Sequence, residues 1–107
     1  DQRIILINLL TENVGLRKLR FSTYLAYELF ENGEIDACGY ALDSIVKNLN
    51  EVVDNYNQEI YTNTFLKFHG KKIGEMMQKL GQKKLLQEMI YLDSQRDDIY
   101  KELLSSI

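Results

Sequence analysis

The sequence predicts an all-α domain, and three observations carry that prediction. Its 107 residues include no proline, whose missing N–H and ring clash cost about 3 kcal/mol inside a helix. Apolar side chains recur at steps of three and four through most of the chain, and no long segment alternates strictly as a half-buried strand would. Gly33 and Gly81 each follow a periodic segment, where a left-handed residue closes a helix. Together these predict a single domain over residues 1–107, an antiparallel bundle of four main helices plus a short N-terminal apolar helix.

The N-terminal segment holds Ile4, Ile5, Leu6, Ile7, Leu9 and Leu10, apolar all round. With no second strand candidate to pair it, the segment reads as a helix that must be covered on every side. Ile4, Ile5 and Leu9 are therefore candidate contacts to a partner or to a second copy. A helix over about 16–32 follows from Leu16, Leu19, Tyr24, Tyr27 and Phe30, the stripe expected to face the core. The next, over about 36–57, carries Ile35, Cys38, Leu42, Ile45, Leu49, Val52 and Tyr56 in alternating steps of three and four, widened by Val46 and Val53. That seam predicts a central core helix, or else a coiled-coil contact with another chain.

Thr62 or Asn63 can cap a third helix ending near residue 80, lined by Tyr61, Phe65, Phe68, Met76, Met77 and Leu80. Gly70 and Gly74 lie one turn apart inside it. Each costs about 1 kcal/mol against alanine, and together they predict a face where another helix approaches closely. The last segment, 83–105, carries Leu85, Met89, Leu92, Ile99 and Leu103. Ser94 and Asp97 resemble a capping box, but the apolar spacing continues in phase through Arg96 and predicts one helix.

Composition narrows the setting. The apolar fraction of 45% and charged fraction of 27% are those of an ordinary soluble domain. The longest apolar run, Ile4 to Ile7, ends at Asn8, far short of the ~20 residues that span a bilayer. Cys38 has no partner within the chain and occupies an apolar helical position, which predicts a reduced, intracellular and cytoplasmic protein. The chain begins at Asp1 rather than Met, as a processed protein or a domain excised from a longer chain would.

The net charge of −3 conceals a segregation. Residues 21–60 set Lys47 against Glu28, Glu31, Glu34, Asp36, Asp43, Glu51, Asp54 and Glu59. Residues 61–84 set Lys67, Lys71, Lys72, Lys79, Lys83 and Lys84 against Glu75. Such asymmetry points either to partners or to mutual attraction between neighbouring helices.

Three patterns suggest chemistry. Glu28 and Glu31, followed by Glu51 and Asp54, place paired carboxylates at i, i+3, a spacing that can hold magnesium. The arrangement resembles the acidic motif of the all-α nucleotide pyrophosphohydrolases, which implies magnesium-dependent cleavage of a nucleoside triphosphate. Tyr27 stands where that family has a further glutamate. Residues 73–86 resemble the first helix and turn of a helix-turn-helix DNA reader, with Met77 and Gln87 where that motif needs a small and an apolar residue. Residues 16–50 resemble a tetratricopeptide helical hairpin, although the turns at Gly33 and Gly81 are 48 residues apart rather than about 34. His69 has no Ser, Cys or acidic neighbour in helical register and reads as a surface histidine.

No Cys/His metal set, phosphate-binding loop or dinucleotide turn is present in the sequence, so no cofactor or metal is expected. The favoured expectation is a small non-enzymatic interaction or regulatory module that binds another protein or itself through a helical surface. Its candidate contacts are Ile4, Ile5, Leu9, Lys71, Lys72, Lys79, Lys83 and Lys84. A magnesium-dependent hydrolase built on Glu28, Glu31, Glu51 and Asp54 is the alternative. A nucleic-acid binder using the 67–84 lysines is a weaker third, disfavoured by the acidic balance of the chain.

Overall fold

Two glycines reverse the chain by the same device. Gly33 (φ 74°) and Gly81 (φ 69°) adopt the left-handed conformation that glycine reaches without a Cβ penalty. At the first, the N–H groups of Gly33 and Glu34 donate to the carbonyls of Phe30 and Leu29. At the second, Gly81 and Gln82 donate to Gln78 and Met77. Both are Schellman closures that satisfy the last carbonyls of one helix while launching the next.

The computed structural model describes residues 14–53 and 59–107, with side chains described over 17–52 and 62–107. Within those bounds the elements are α1 (Val14–Glu31), α2 (Ile35–Val53), α3 (Glu59–Lys79), α4 (Lys83–Leu92), a 3₁₀ turn (Ser94–Arg96) and α5 (Asp97–Ser105). The chain is all-helical, with no strand among the described residues, and the helices gather around one core. The N-terminal apolar helix expected around Ile4, Ile5 and Leu9 lies outside the described residues, as do Asp54 and Tyr56.

Helix α2 forms the centre, as its spacing predicts. Cys38, Leu42, Ile45 and Leu49 are fully buried, with Val46 and Val52 nearly so. Ile35, at the start of the same seam, is instead 63% exposed because it sits at the turn, beyond the reach of the neighbouring helices. Burying each such aliphatic side chain contributes about 1.5–3 kcal/mol, so this seam is the largest apolar stabilisation the pattern offers.

The face of α1 matches the expectation in part: Leu19 is fully buried and Tyr27 and Phe30 pack, half-buried, against the core. Tyr24 is instead 59% exposed, and the remaining buried positions are Ser22, Thr23 and Ala26. Small side chains win the core side because they let α2 approach closely, and α1 and α2 form the most extensive helix pair among the described residues. The polar atoms this buries are satisfied. Thr23 donates to the Leu19 carbonyl (2.7 Å), Asn48 donates to Ser22 Oγ (3.3 Å), and the Cys38 thiol donates to the Ala26 carbonyl (3.4 Å).

Two further boundaries move. α3 begins at Glu59 rather than at Thr62, and Phe68, expected in its core stripe, is 75% exposed while Leu66 and Ile73 are buried. The segment expected as one helix over 83–105 breaks at Asp93, whose backbone (φ −126°, ψ 61°) leaves the helical region. The cause is not a capping box, since no side-chain cap forms at this junction. Asp93 is buried, and its carboxylate accepts from Tyr100 Oη (2.6 Å) and Arg96 Nη1 (2.8 Å). Arg96 also donates to Asn63 Oδ1 (3.1 Å), tying the junction to α3. A buried carboxylate without those donors would cost several kcal/mol, so the chain bends to supply them.

The glycine pair does what its spacing predicts. A Cβ at Gly70 would lie 2.5 Å from Tyr100 Oη, and one at Gly74 would lie 2.8 Å from a methyl of Leu103. α5 therefore packs directly on the glycine face of α3, with the Tyr100 side chain fully buried between them.

Candidate functional site

On another face of α3, long side chains keep α1 at a distance. Along α1 the positions Arg17, Arg20, Tyr24, Tyr27 and Glu31 follow each other at steps of three and four, which places them on one stripe. Along α3 the corresponding stripe is Phe65, His69, Lys72, Met76 and Lys79. The contacts pair these stripes in order. The rings of Tyr24 and Tyr27 lie 6.0 and 5.9 Å from the His69 ring, Lys72 Nζ sits 4.8 Å above the Tyr27 ring, and Lys79 Nζ sits 5.5 Å from the Phe30 ring.

At the centre of this seam Tyr27 Oη lies 2.8 Å from His69 Nδ1. Burial, reinforced by the positive charges of Lys72 and Arg20, holds the His69 pKa below its ordinary value. The imidazole is therefore predominantly neutral at pH 7, and it shares one hydrogen bond with the phenol: Nδ1 accepts from Tyr27 Oη in the Nε2–H tautomer and donates to it in the Nδ1–H tautomer. Burial, with a smaller effect of neighbouring Tyr24, raises the Tyr27 pKa to about 12, so the phenol keeps its proton. The Phe65 ring lies 4.8 Å from the imidazole, tilted by 34°. His69 is thus not the free surface histidine its sequence neighbours suggest, because its partners come from another helix.

Below this cluster, Tyr27, Phe30, Glu31, Lys72, Glu75, Met76 and Lys79 line a shallow groove of about 120 Å³. Small-molecule sites are commonly larger, roughly 300–1,000 Å³, so the groove suits the tip of a side chain better than a whole metabolite. A wider hollow of about 550 Å³, open to solvent, lies between the start of α2 and the α3–α4 turn, with exposed Ile35 and Tyr40 beside Asp36 and Asp43.

The expected site residues divide among these regions. Lys72 and Lys79 line the groove, and Lys71 is exposed on α3. Lys83 and Lys84 are exposed in the first turn of α4, away from the aromatic cluster in sequence and on a different helix. Ile4, Ile5 and Leu9 lie outside the described residues. Glu28, Glu31 and Glu51 are exposed, with Glu28 and Glu31 near the α1–α2 turn and Glu51 near the far end of α2. No group of three or more metal-capable side chains converges among the described residues. The sequence marks Tyr24 and Tyr27 as core-facing and His69 as a surface histidine and leaves Arg20 unremarked, although the i, i+4, i+7 spacing of Arg20, Tyr24 and Tyr27 is a readable signal.

Among the described residues the charge segregation is not consumed by ion pairs between the helices. The ion pairs among the described residues are Asp43–Lys47, Asp93–Arg96 and Asp97–Lys101, each local to three or four positions. None among the described residues joins the acidic 21–60 segment to the basic 61–84 segment. No protein family model, curated protein or solved structure matches the chain.

Proposed function

We propose that this chain is a small non-enzymatic interaction module of the regulatory kind, which binds another protein through the α1–α3 seam of an antiparallel bundle. The observation that carries this reading is the combination of unpaired cations with an exposed aromatic ring on one surface. Arg20 and Lys72 take part in no ion pair among the described residues, while Tyr24 leaves most of its area to solvent. Aromatic and arginine side chains are the residue types that concentrate binding energy at protein interfaces. A buried free thiol at Cys38 is consistent with an intracellular, reducing setting.

The test uses the full chain as bait in the cell that makes it, beside a variant carrying Arg20→Glu and Lys72→Glu. A protein retained by the parent and lost from a variant of unchanged melting temperature is the expected result. Equal recovery on both baits would remove the seam from consideration. The magnesium hydrolase remains the competing class, and magnesium-dependent pyrophosphate release that disappears in Glu31→Gln would replace this reading with it.

A further inference from the structure

The bend between α4 and α5 is set less firmly by its own residues than the turns at Gly33 and Gly81, where a left-handed glycine closes the preceding helix. Residues 83–105 contain neither glycine nor proline, and their apolar spacing continues in phase, so the local sequence is that of one unbroken helix. Asp93 (φ −126°, ψ 61°) and Arg96 (φ −122°, ψ 26°) leave the helical region with negative φ, and no side-chain cap forms at either. Both can return to helical angles without steric strain.

Contacts made by α5 hold the bend. Tyr100 Oη donates to Asp93 at 2.6 Å, although residues seven apart in one straight helix are separated by about 10 Å along its axis. That bond belongs to the bent form, whereas the Arg96–Asp93 pair, three positions apart, suits either form. The seat of α5 lies on the chain at or before the bend. Tyr100 and Leu103 pack on Gly70 and Gly74, Gln78 Nε2 donates to the Leu103 carbonyl at 3.3 Å, and Asp93 borders Gly70. The α5 of a second copy would meet every one of these groups in the same geometry. We infer that α5 is an exchangeable arm: the junction opens into one helix over 83–105, and α5 of each copy seats on the Gly70–Gly74 face of the other, its Tyr100 bonded to the other copy's Asp93. The exchange remakes the same contacts and adds helical hydrogen bonds across 93–96, and what opposes it is the entropy of pairing two chains. It goes beyond the α1–α3 seam and needs none of its residues.

Size-exclusion chromatography with light scattering, on the full chain refolded from urea at high concentration, reads the exchange. The parent should yield a dimer fraction. Deleting Ser94 and Gln95 leaves too short a link for the bend and should convert the chain to dimer, while two glycines inserted after Ser94 should lower the dimer fraction at least tenfold, because a longer hinge relaxes the bent form. Both changes leave the seat intact. Spin labels on Gln87→Cys and Glu102→Cys, exposed positions on helices that pack against each other, then report the form within one chain when labelled protein is diluted with unlabelled. In the dimer their separation along the axis should grow to about 22 Å, fifteen residues of one helix. A folded deletion variant that stays monomeric would overturn the inference, as would a dimer equally abundant after the glycine insertion or one that keeps the short separation. If the deletion variant loses its helix by circular dichroism, the parent and the insertion variant decide: a dimer fraction that differs tenfold sustains the exchange, and equal fractions or none remove it.

Discussion

Two tyrosine hydrogen bonds lie against two faces of α3, and they behave differently. Against the glycine face, Tyr100 is fully buried and donates to Asp93 at 2.6 Å. Against the aromatic face, half-buried Tyr27 meets His69 at 2.8 Å. The first contact is closed by Gly70 and Gly74, which remove the side chains that would hold α5 away. The second is held open by Phe65, His69 and Lys72, which fill the space between α1 and α3. The contrast teaches that side-chain size on α3 decides whether a tyrosine becomes an internal anchor or part of an accessible surface. Burial strengthens the cost of breaking the Tyr100 bond, while solvent can replace the partner of Tyr27.

The largest break in this comparison comes from filling the closed side. Gly70→Leu should destabilise the domain by about 2–4 kcal/mol, since even its Cβ would meet Tyr100 Oη at 2.5 Å and the side chain has no space to relax into. Thermal melting should show a loss of many degrees. A melt that matches the parent would mean that α5 does not pack on this face.

Removing one hydroxyl on each side gives a smaller, paired effect. Tyr100→Phe should cost about 1–3 kcal/mol, because Asp93 would keep Arg96 but lose its second donor in a buried site. Tyr27→Phe should cost less than about 1 kcal/mol, since water reaches the half-buried His69. Urea denaturation of both variants measures the difference directly. Equal losses would erase the distinction between anchor and surface.

The smallest effect is a pH dependence on the open side. His69 has a folded pKa below its unfolded value, so the unfolded chain binds more protons and stability rises with pH. Its contribution is complete above about pH 6.5, the ordinary histidine value, and is lost as pH falls through that value toward the lowered folded one. Melting temperatures across pH 7.5 to 5.5 should therefore decline slightly more for the parent than for His69→Gln. A parallel decline in both would show that the imidazole is not held neutral by its surroundings.

A different measurement separates surface from core. Arg20→Glu with Lys72→Glu should lower the melting temperature by no more than the effect of about 1 kcal/mol, because neither cation has an ion pair to lose among the described residues and only the Lys72 contact with the Tyr27 ring is given up. A larger drop would reassign these residues to holding the fold.

What the residues determine by themselves is local. The absence of proline and the three-and-four spacing specify helices, because both act through the backbone of a single segment. The glycines at 33 and 81 specify where helices end, since only a left-handed residue closes these turns. The burial of Cys38, Leu42, Ile45 and Leu49 was equally legible, because one unbroken stripe leaves the helix a single apolar face. The buried side of α1 was legible only in part. Leu19 lies on the stripe that the spacing marks, but Ser22, Thr23 and Ala26 are buried where Tyr24 was expected, and the close approach of α2 decides for those smaller side chains. The break at Asp93 and the pairing of Tyr27 with His69 depend likewise on partners 7 and 42 residues away in the chain. Spacing within a helix records its periodicity and its stops, whereas the choice between faces and the satisfaction of buried polar atoms are decided only when other helices arrive.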